Sequence, residues 1–186
     1  HSGILTSMST DAPDRTALLS TVRPLCPDIA PEILHDFFSR MDPEYFRKFE
    51  PPTIAAHIRS TTQLTPERPC AIAFAELHDT RFEVTIVAYD YFSEFATTCG
   101  LLSAFGLNIV DGEIYTFGEQ AAVPLARTSW AGYGPRVRTT GSPGLTRKKI
   151  VDVFRVLPVP GMELGDIQQK HLADALHLVI RLLDKG

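Results

Sequence analysis

The central part of the chain alternates between strand-like and helix-like patterns. Residues 82–89 carry apolar side chains at every second position, which is typical of a half-buried strand. Residues 93–105 then place apolar side chains at helical spacing, and Gly106 follows where the end of a helix often takes a positive φ. Residues 107–117 and 150–156 are predicted strands. The order strand, helix, strand, strand predicts the beginning of a split βαβ unit.

Two further elements complete the predicted sheet layer. Residues 70–77 form an apolar run of strand length, and the turn at 78–80 predicts an antiparallel hairpin with 82–89. A ferredoxin-like unit would end in a fourth strand beside its first, and we expect 70–77 to take that edge position in a permuted order. Asp111-Gly112 interrupts the alternation of its strand and predicts a bulge.

Helix faces indicate how the layers pack. The helix at 93–105 is expected to bury a stripe that consists of Phe95, Cys99, Leu102 and Phe105. In the segment 164–184 one set of residues follows a helical period: Ile167, His171, Leu172, Ala175, Leu178, Val179, Leu182 and Leu183. With both helices on one face of the sheet, the chain is predicted to be a two-layer α+β sandwich.

A compact helical cluster is predicted before the sheet, at residues 31–65. Pro31, Asp42-Pro43 and Pro51-Pro52 each mark the start of a short helix, because proline is tolerated in the first turn. Residues 1–30 are interpreted as a tag remnant (His1 to Met8) and a flexible lead-in, with weak helical content at 16–22. Residues 66–186 are then the α+β domain.

A long polar insertion separates two strands at residues 118–146. The segment from Glu119 to Lys149 carries one acidic residue and six basic ones, which are Arg127, Arg136, Arg138, Arg147, Lys148 and Lys149. One interpretation is a flexible, solvated loop. The alternative is an arm that binds an anion or a partner, with Trp130 and Tyr133 as anchors.

Composition places the chain among globular proteins. It has 186 residues, 44% hydrophobic and 22% charged, with a formal net charge of -4, so nucleic acid is not an expected partner. Three scattered cysteines favour a reducing compartment, and we expect a cytoplasmic protein. No apolar run approaches the roughly 20 residues that span a membrane.

The sequence offers little catalytic chemistry. It contains no phosphate-binding GxxxxGK[ST] loop, no HExxH and no GxSxG. The six histidines are dispersed, and each is better explained as a surface or hydrogen-bonded residue than as a metal ligand. Asp152 lies in a strand, where pairing with nearby basic residues is favoured over lining a site. We therefore expect no enzyme activity, no cofactor and no metal site.

One turn has the chemistry of a ligand site. Residues Asp90, Tyr91, Phe92, Ser93 and Glu94 connect a strand to a helix, whose free backbone N–H groups suit a small carboxylate. Asn108 begins the next strand and is expected to reach the same area. An ordinary capped turn is the alternative interpretation.

These residues resemble a known family. The strand 82–90, the helix that ends in Gly100-Leu-Leu-Ser-Ala-Phe-Gly106, and the strands 107–117 and 151–156 are similar to the ACT domain, a ligand-sensing regulatory module. Residues 42–58 resemble the segment that precedes ACT domains in uridylyltransferases of the PII signalling protein. Large NAD-dependent glutamate dehydrogenases carry a comparable segment.

The resemblance implies a fold, a site and a function. The fold is α+β with a ferredoxin-like, ACT-like antiparallel sheet, two helices on one face and the helical cluster in front. The implied effector site comprises Asp90 to Glu94, Gly106 and Asn108, with the effector lying against the second strand of a neighbour. The implied role is regulation of a larger enzyme in nitrogen metabolism, by an amino acid such as glutamine, through a homodimer and other domains of the parent chain.

An assembly module without a ligand is the competing hypothesis. ACT domains usually have a Pro-Gly-Leu type of turn, whereas this chain has Tyr91-Phe92-Ser93, and bulky side chains there would fill the pocket. A third interpretation makes the basic segment 127–149 an anion-binding arm.

Overall fold

A computed structural model describes residues 14–90, 94–118 and 148–185. These residues form six α-helices, a short 3₁₀ turn and four strands. In chain order the elements are α1 (Arg15–Val22), the 3₁₀ turn (Arg23–Leu25), α2 (Pro31–Arg40), α3 (Pro43–Lys48), α4 (Pro51–Thr62), β1 (Cys70–Glu76), β2 (Phe82–Tyr89), α5 (Glu94–Ala104), β3 (Leu107–Thr116), β4 (Lys149–Pro158) and α6 (Asp166–Lys185).

The described strands form an antiparallel sheet in the order β1-β2-β4-β3. The predicted hairpin is confirmed, since Cys70 pairs with Ala88 and Glu76 with Phe82. The predicted bulge is also present, one residue earlier than Asp111-Gly112: the register shifts between Ile109 and Asp111. The chain is therefore an α+β protein in which β1 and β3 lie at opposite edges of this sheet.

One face of the sheet is covered by α5 and α6, as predicted. Leu102 of α5 and Leu172 and Leu176 of α6 are each about 1% exposed and pack in one core with Ile86 and Phe154 of the sheet. Gly106 ends α5 with a φ of 73°. His177 of α6 lies 2.8 Å from the Cys70 carbonyl oxygen and so connects this helix to the edge strand β1.

The opposite face is covered too, so the prediction of a two-layer sandwich is wrong. Val87, Val151 and Val153 point away from α5 and α6 into a second core with the helical cluster. This core is rich in aromatic rings, and Phe37 lies 5.0 Å from Phe117 and 5.6 Å from Tyr45 between ring centroids. Strands with apolar residues on both faces must be covered on both sides, which gives three layers.

The proline signals position the cluster correctly. Pro31, Pro43 and Pro51 begin α2, α3 and α4, where a missing N–H costs no helical hydrogen bond. The Asp42 carboxylate accepts a hydrogen bond of 2.8 Å from the Glu44 backbone N–H and caps α3.

The cluster begins earlier than predicted, inside the segment that was interpreted as a flexible lead-in. The Asp14 side chain accepts a hydrogen bond of 2.9 Å from the Thr16 backbone N–H and caps α1. Val22 is completely buried and Cys26 is 1% exposed in the aromatic core. The polar composition of this segment concealed Leu18, Leu19 and Val22, which pack α1 against the aromatic core.

Two predicted helix faces are partly wrong. Phe95 was expected to be buried, but it is 44% exposed and stacks on Phe154 at the edge of α5. In α6 the buried residues are Leu172, Leu176 and Ile180, whereas Ile167, Leu178 and Leu182 are 60–67% exposed. This helix carries apolar side chains on two faces, and periodicity alone did not identify which face meets the sheet.

The insertion predicted at 118–146, including Trp130 and Tyr133, lies outside the described residues except for Gly118. No helix in the described ranges has the length and apolar character needed to cross a membrane.

Candidate functional site

The predicted ligand turn begins at the end of β2. Asp90 is exposed, and its backbone N–H donates a hydrogen bond of 2.9 Å to the Lys148 carbonyl oxygen beside the start of β4. Glu94 is the first residue of α5. Tyr91, Phe92, Ser93 and the side chain of Glu94 lie outside the described part of the structure.

Gly106 and Asn108 lie at the other end of the sheet. Tyr89, the neighbour of Asp90, pairs with Lys149, whereas Asn108 pairs with Leu157 of the same strand. At about 3.3 Å per residue, this separation is about 26 Å along β4. The expectation that Asn108 reaches the turn at Asp90 within one chain is therefore wrong, because β2 and β3 run in the same direction and the two residues are at opposite ends of them.

Cationic side chains lie near the Asp90 end. The Lys149 ammonium donates a hydrogen bond of 3.1 Å to the Thr61 carbonyl oxygen of α4. Burial, followed by the nearby Arg40 guanidinium, lowers the pKa of Lys149. This lysine therefore connects the helical cluster to the sheet at the Asp90 end.

Asp152 does not line an exposed site. It is completely buried on the face that α5 and α6 cover, between Ile86 of β2 and Ile114 of β3 in the register. The alternation of the strand placed it correctly on the face opposite Val151 and Val153.

A buried polar pair lies inside the aromatic core. The Tyr45 hydroxyl is 2.7 Å from His57 Nδ1, and both residues are at most 5% exposed. Burial lowers the pKa of His57 to about 4, so the ring is neutral near pH 7 and shares a hydrogen bond with the Tyr45 hydroxyl through Nδ1. This histidine is a hydrogen-bonded core residue, as the sequence analysis favoured for each histidine.

A cleft that the sequence analysis missed lies at the Asn108 end of the sheet. Its volume is about 490 Å³, and it lies between the β1–β2 turn and the loop from β4 to α6. Thr80 lines one side, and Glu163 lines the other. The prolines and glycine of the segment Pro158-Val-Pro-Gly161 are typical of a loop. No pattern in the sequence indicates that this loop faces the β1–β2 turn.

The described residues contain no group of three or more His, Cys, Asp or Glu side chains that could hold a metal ion. Comparisons with protein-family models and with curated proteins find no match to this chain.

Proposed function

We propose that this chain is a non-catalytic regulatory domain of the ACT type, which binds a small metabolite such as glutamine and acts on a larger enzyme through domain packing. The strand order is the observation that carries the proposal. If β1 is counted as the last strand, β2-α5-β3-β4-α6-β1 has the order of a ferredoxin-like unit, and β1 lies beside β2 at the edge that such a unit fills last.

A site of this type requires a second copy of the chain. Asp90 and Asn108 are about 26 Å apart along the strand direction, so one chain supplies half of each site. If β3 pairs antiparallel with β3 of a second copy, the start of the second copy's β3, which carries its Asn108, lies at the Asp90 end of the first chain. Such a pairing is symmetric, as a twofold dimer demands.

The β3 edge has the surface that this dimer needs. Val110 is 55% exposed and Ile114 is 48% exposed along this strand. Phe95, in the helix that packs against β3, is 44% exposed. Large apolar side chains grouped on one edge are typical of a protein interface.

The ligand chemistry follows from the groups at this end. The Asp90 carboxylate would bind the ammonium of an amino acid, and the backbone N–H groups at the start of α5 would bind its carboxylate. Because Asn108 is exposed at the start of its strand, it would contribute an amide to the site of the neighbouring copy. Binding would favour one packing of the dimer through a difference in affinity between packings.

The experiment uses two variants of the whole chain, Asp90→Ala and Asn108→Ala. Each is screened by thermal shift against the amino acids, with glutamine first, since a ligand of the folded state raises the midpoint. We expect each variant alone to show no thermal shift with the ligand. A mixture of the two variants, refolded together, should show the shift again. In a mixed dimer, one of the two sites combines the native Asp90 of one copy with the native Asn108 of the other. Failure of the mixture to recover binding, with both variants folded, contradicts the shared site.

A ligand-free assembly module is the second candidate function, and the outer face of α6 favours it. Ile167, Leu178 and Leu182 are exposed and would be buried by a partner. A dimer in sedimentation analysis that shows no thermal shift with any amino acid would support assembly over sensing.

A further inference from the structure

The cleft at the Asn108 end of the sheet has the size and lining of a small-molecule site. Its volume of about 490 Å³ falls within the roughly 300–1,000 Å³ of typical ligand pockets. Phe82, Val159, Met162 and Leu164 supply apolar walls, and Phe82 and Leu164 are themselves at most 9% exposed. Two well-packed elements, β2 and the loop before α6, therefore hold the apolar part in place.

Two exposed glutamates, Glu76 and Glu163, also line the cleft. Glu76 ends β1, and Glu163 precedes α6. Neither has a hydrogen-bonded or ion-paired partner among the residues that the structure describes. An apolar pocket with unpaired carboxylates attracts a ligand that has an apolar body and a positive charge.

A metal ion is not the positive charge that this cleft fits. No cluster of three ligating side chains occurs in the described ranges, and two carboxylates, one at the end of β1 and one in the loop before α6, leave most coordination positions of a cation unfilled. A protonated amine needs fewer partners, since each of its three N–H groups can bind one oxygen.

The turn on one side of the cleft has an unusual backbone. Asp79 and Thr80 have φ values of 62° and 61°, in the left-handed region that β-branched residues rarely adopt. The Leu77 N–H donates a hydrogen bond of 2.8 Å to the Arg81 carbonyl oxygen and closes this turn. The closed turn keeps Thr80, which lines the cleft, opposite the loop before α6.

We propose that this cleft binds a small organic cation, a protonated amine on an apolar body, with the amine between Glu76 and Glu163. Asp90, Gly106 and Asn108 do not line the cleft, but the Gly106 carbonyl oxygen accepts a hydrogen bond of 2.8 Å from the Val159 N–H in its wall. Different variants distinguish the two proposals, since Glu76 and Glu163 belong to the cleft alone.

The first experiment compares three probes of one shape by amide NMR on the whole chain. They are phenethylamine, its alcohol 2-phenylethanol and the anion 3-phenylpropionate. We expect phenethylamine to shift the amide signals of Thr80, Gly161 and Gly165 at lower concentration than the other two probes. Stronger binding of the anion would overturn the proposal, because the free N–H groups at the start of α6 would then set the preference.

Charge variants test which groups select the cation. Glu76→Gln and Glu163→Gln should each weaken phenethylamine binding by about threefold, the scale of an exposed ion pair, and leave binding of the alcohol unchanged. Glu67→Gln is the matched control, since Glu67 is exposed in a loop outside the cleft. Equal phenethylamine affinity in all three variants and the parent would overturn the proposal, as would an absence of shifts at the cleft amides.

Discussion

At the scale of single residues, His57 couples stability to pH. Its ring is buried neutral with a pKa of about 4, whereas an unfolded histidine titrates near 6.5. Below about pH 6.5 the unfolded chain binds a proton that the folded chain does not. The free energy of unfolding therefore decreases as the pH is lowered. The loss should reach about 2 kcal/mol at pH 5, measured by urea unfolding at several pH values.

Matched histidine variants isolate this effect. His57→Phe should flatten the profile between pH 7 and 5, whereas His35→Gln should leave it unchanged because His35 is exposed. An unaltered slope in His57→Phe would mean that other groups cause the acid sensitivity.

The second residue-scale prediction concerns the left-handed turn. Thr80→Gly should raise the free energy of unfolding by about 1 kcal/mol, because glycine adopts the φ of 61° without a Cβ clash. Thr80→Ala keeps a Cβ and should gain much less. Thermal unfolding of the two variants compares them, and an equal gain would point to loss of the Thr80 hydroxyl as the cause.

At the scale of elements, two glycines should respond to alanine in opposite directions. A Cβ at Gly112 of β3 would lie 3.1 Å from the Phe154 ring, which is fully buried and has little room to move, so Gly112→Ala should cost about 1–3 kcal/mol. A Cβ at Gly100 of α5 meets no atom within 4 Å. Gly100→Ala should therefore stabilise the helix by about 0.8 kcal/mol. Urea unfolding of both variants tests the contrast, and the same sign in both would contradict this packing.

Helix α1 gives the second prediction at this scale. Val22→Ala should cost about 2 kcal/mol, because the side chain is completely buried against the aromatic core. Leu25→Ala, three residues later and 38% exposed, should cost much less. If both variants unfold at the same urea concentration as the parent, α1 does not contribute to the folded core.

The elements also show which sequence signals were sufficient. Proline and aspartate at helix starts, and alternation in strands, act through contacts within a few residues, so α2, α3, α4 and the four strands were predicted within a few positions. The buried face of α6 was not, because Leu172 and Leu178 are equally apolar and the sheet decides which of them it contacts.

At the scale of the whole molecule, two cores share one sheet. Cys26 is buried in the aromatic core and Cys70 in the core under α6, and β2 and β4 contribute side chains to both. We expect the layers to unfold together. Thiol labelling of single-cysteine variants should give the same opening free energy for Cys26 and Cys70.

Cys99 is the internal control for this measurement, since it is partly exposed and should label faster. A lower opening free energy at Cys26 than at Cys70 would show that the helical cluster unfolds separately from the sheet.

The sequence by itself determined what depends on neighbours along the chain: the helix starts, the strand alternation, the hairpin of β1 and β2, and the bulge near Asp111. The tertiary structure decided what depends on distant residues. It put the helical cluster on the second face of the sheet, placed Asp90 and Asn108 at opposite ends, and formed the cleft between Thr80 and Glu163. The physical reason is that a local pattern sets which residues avoid water, whereas only packing of the whole chain sets which of them meet.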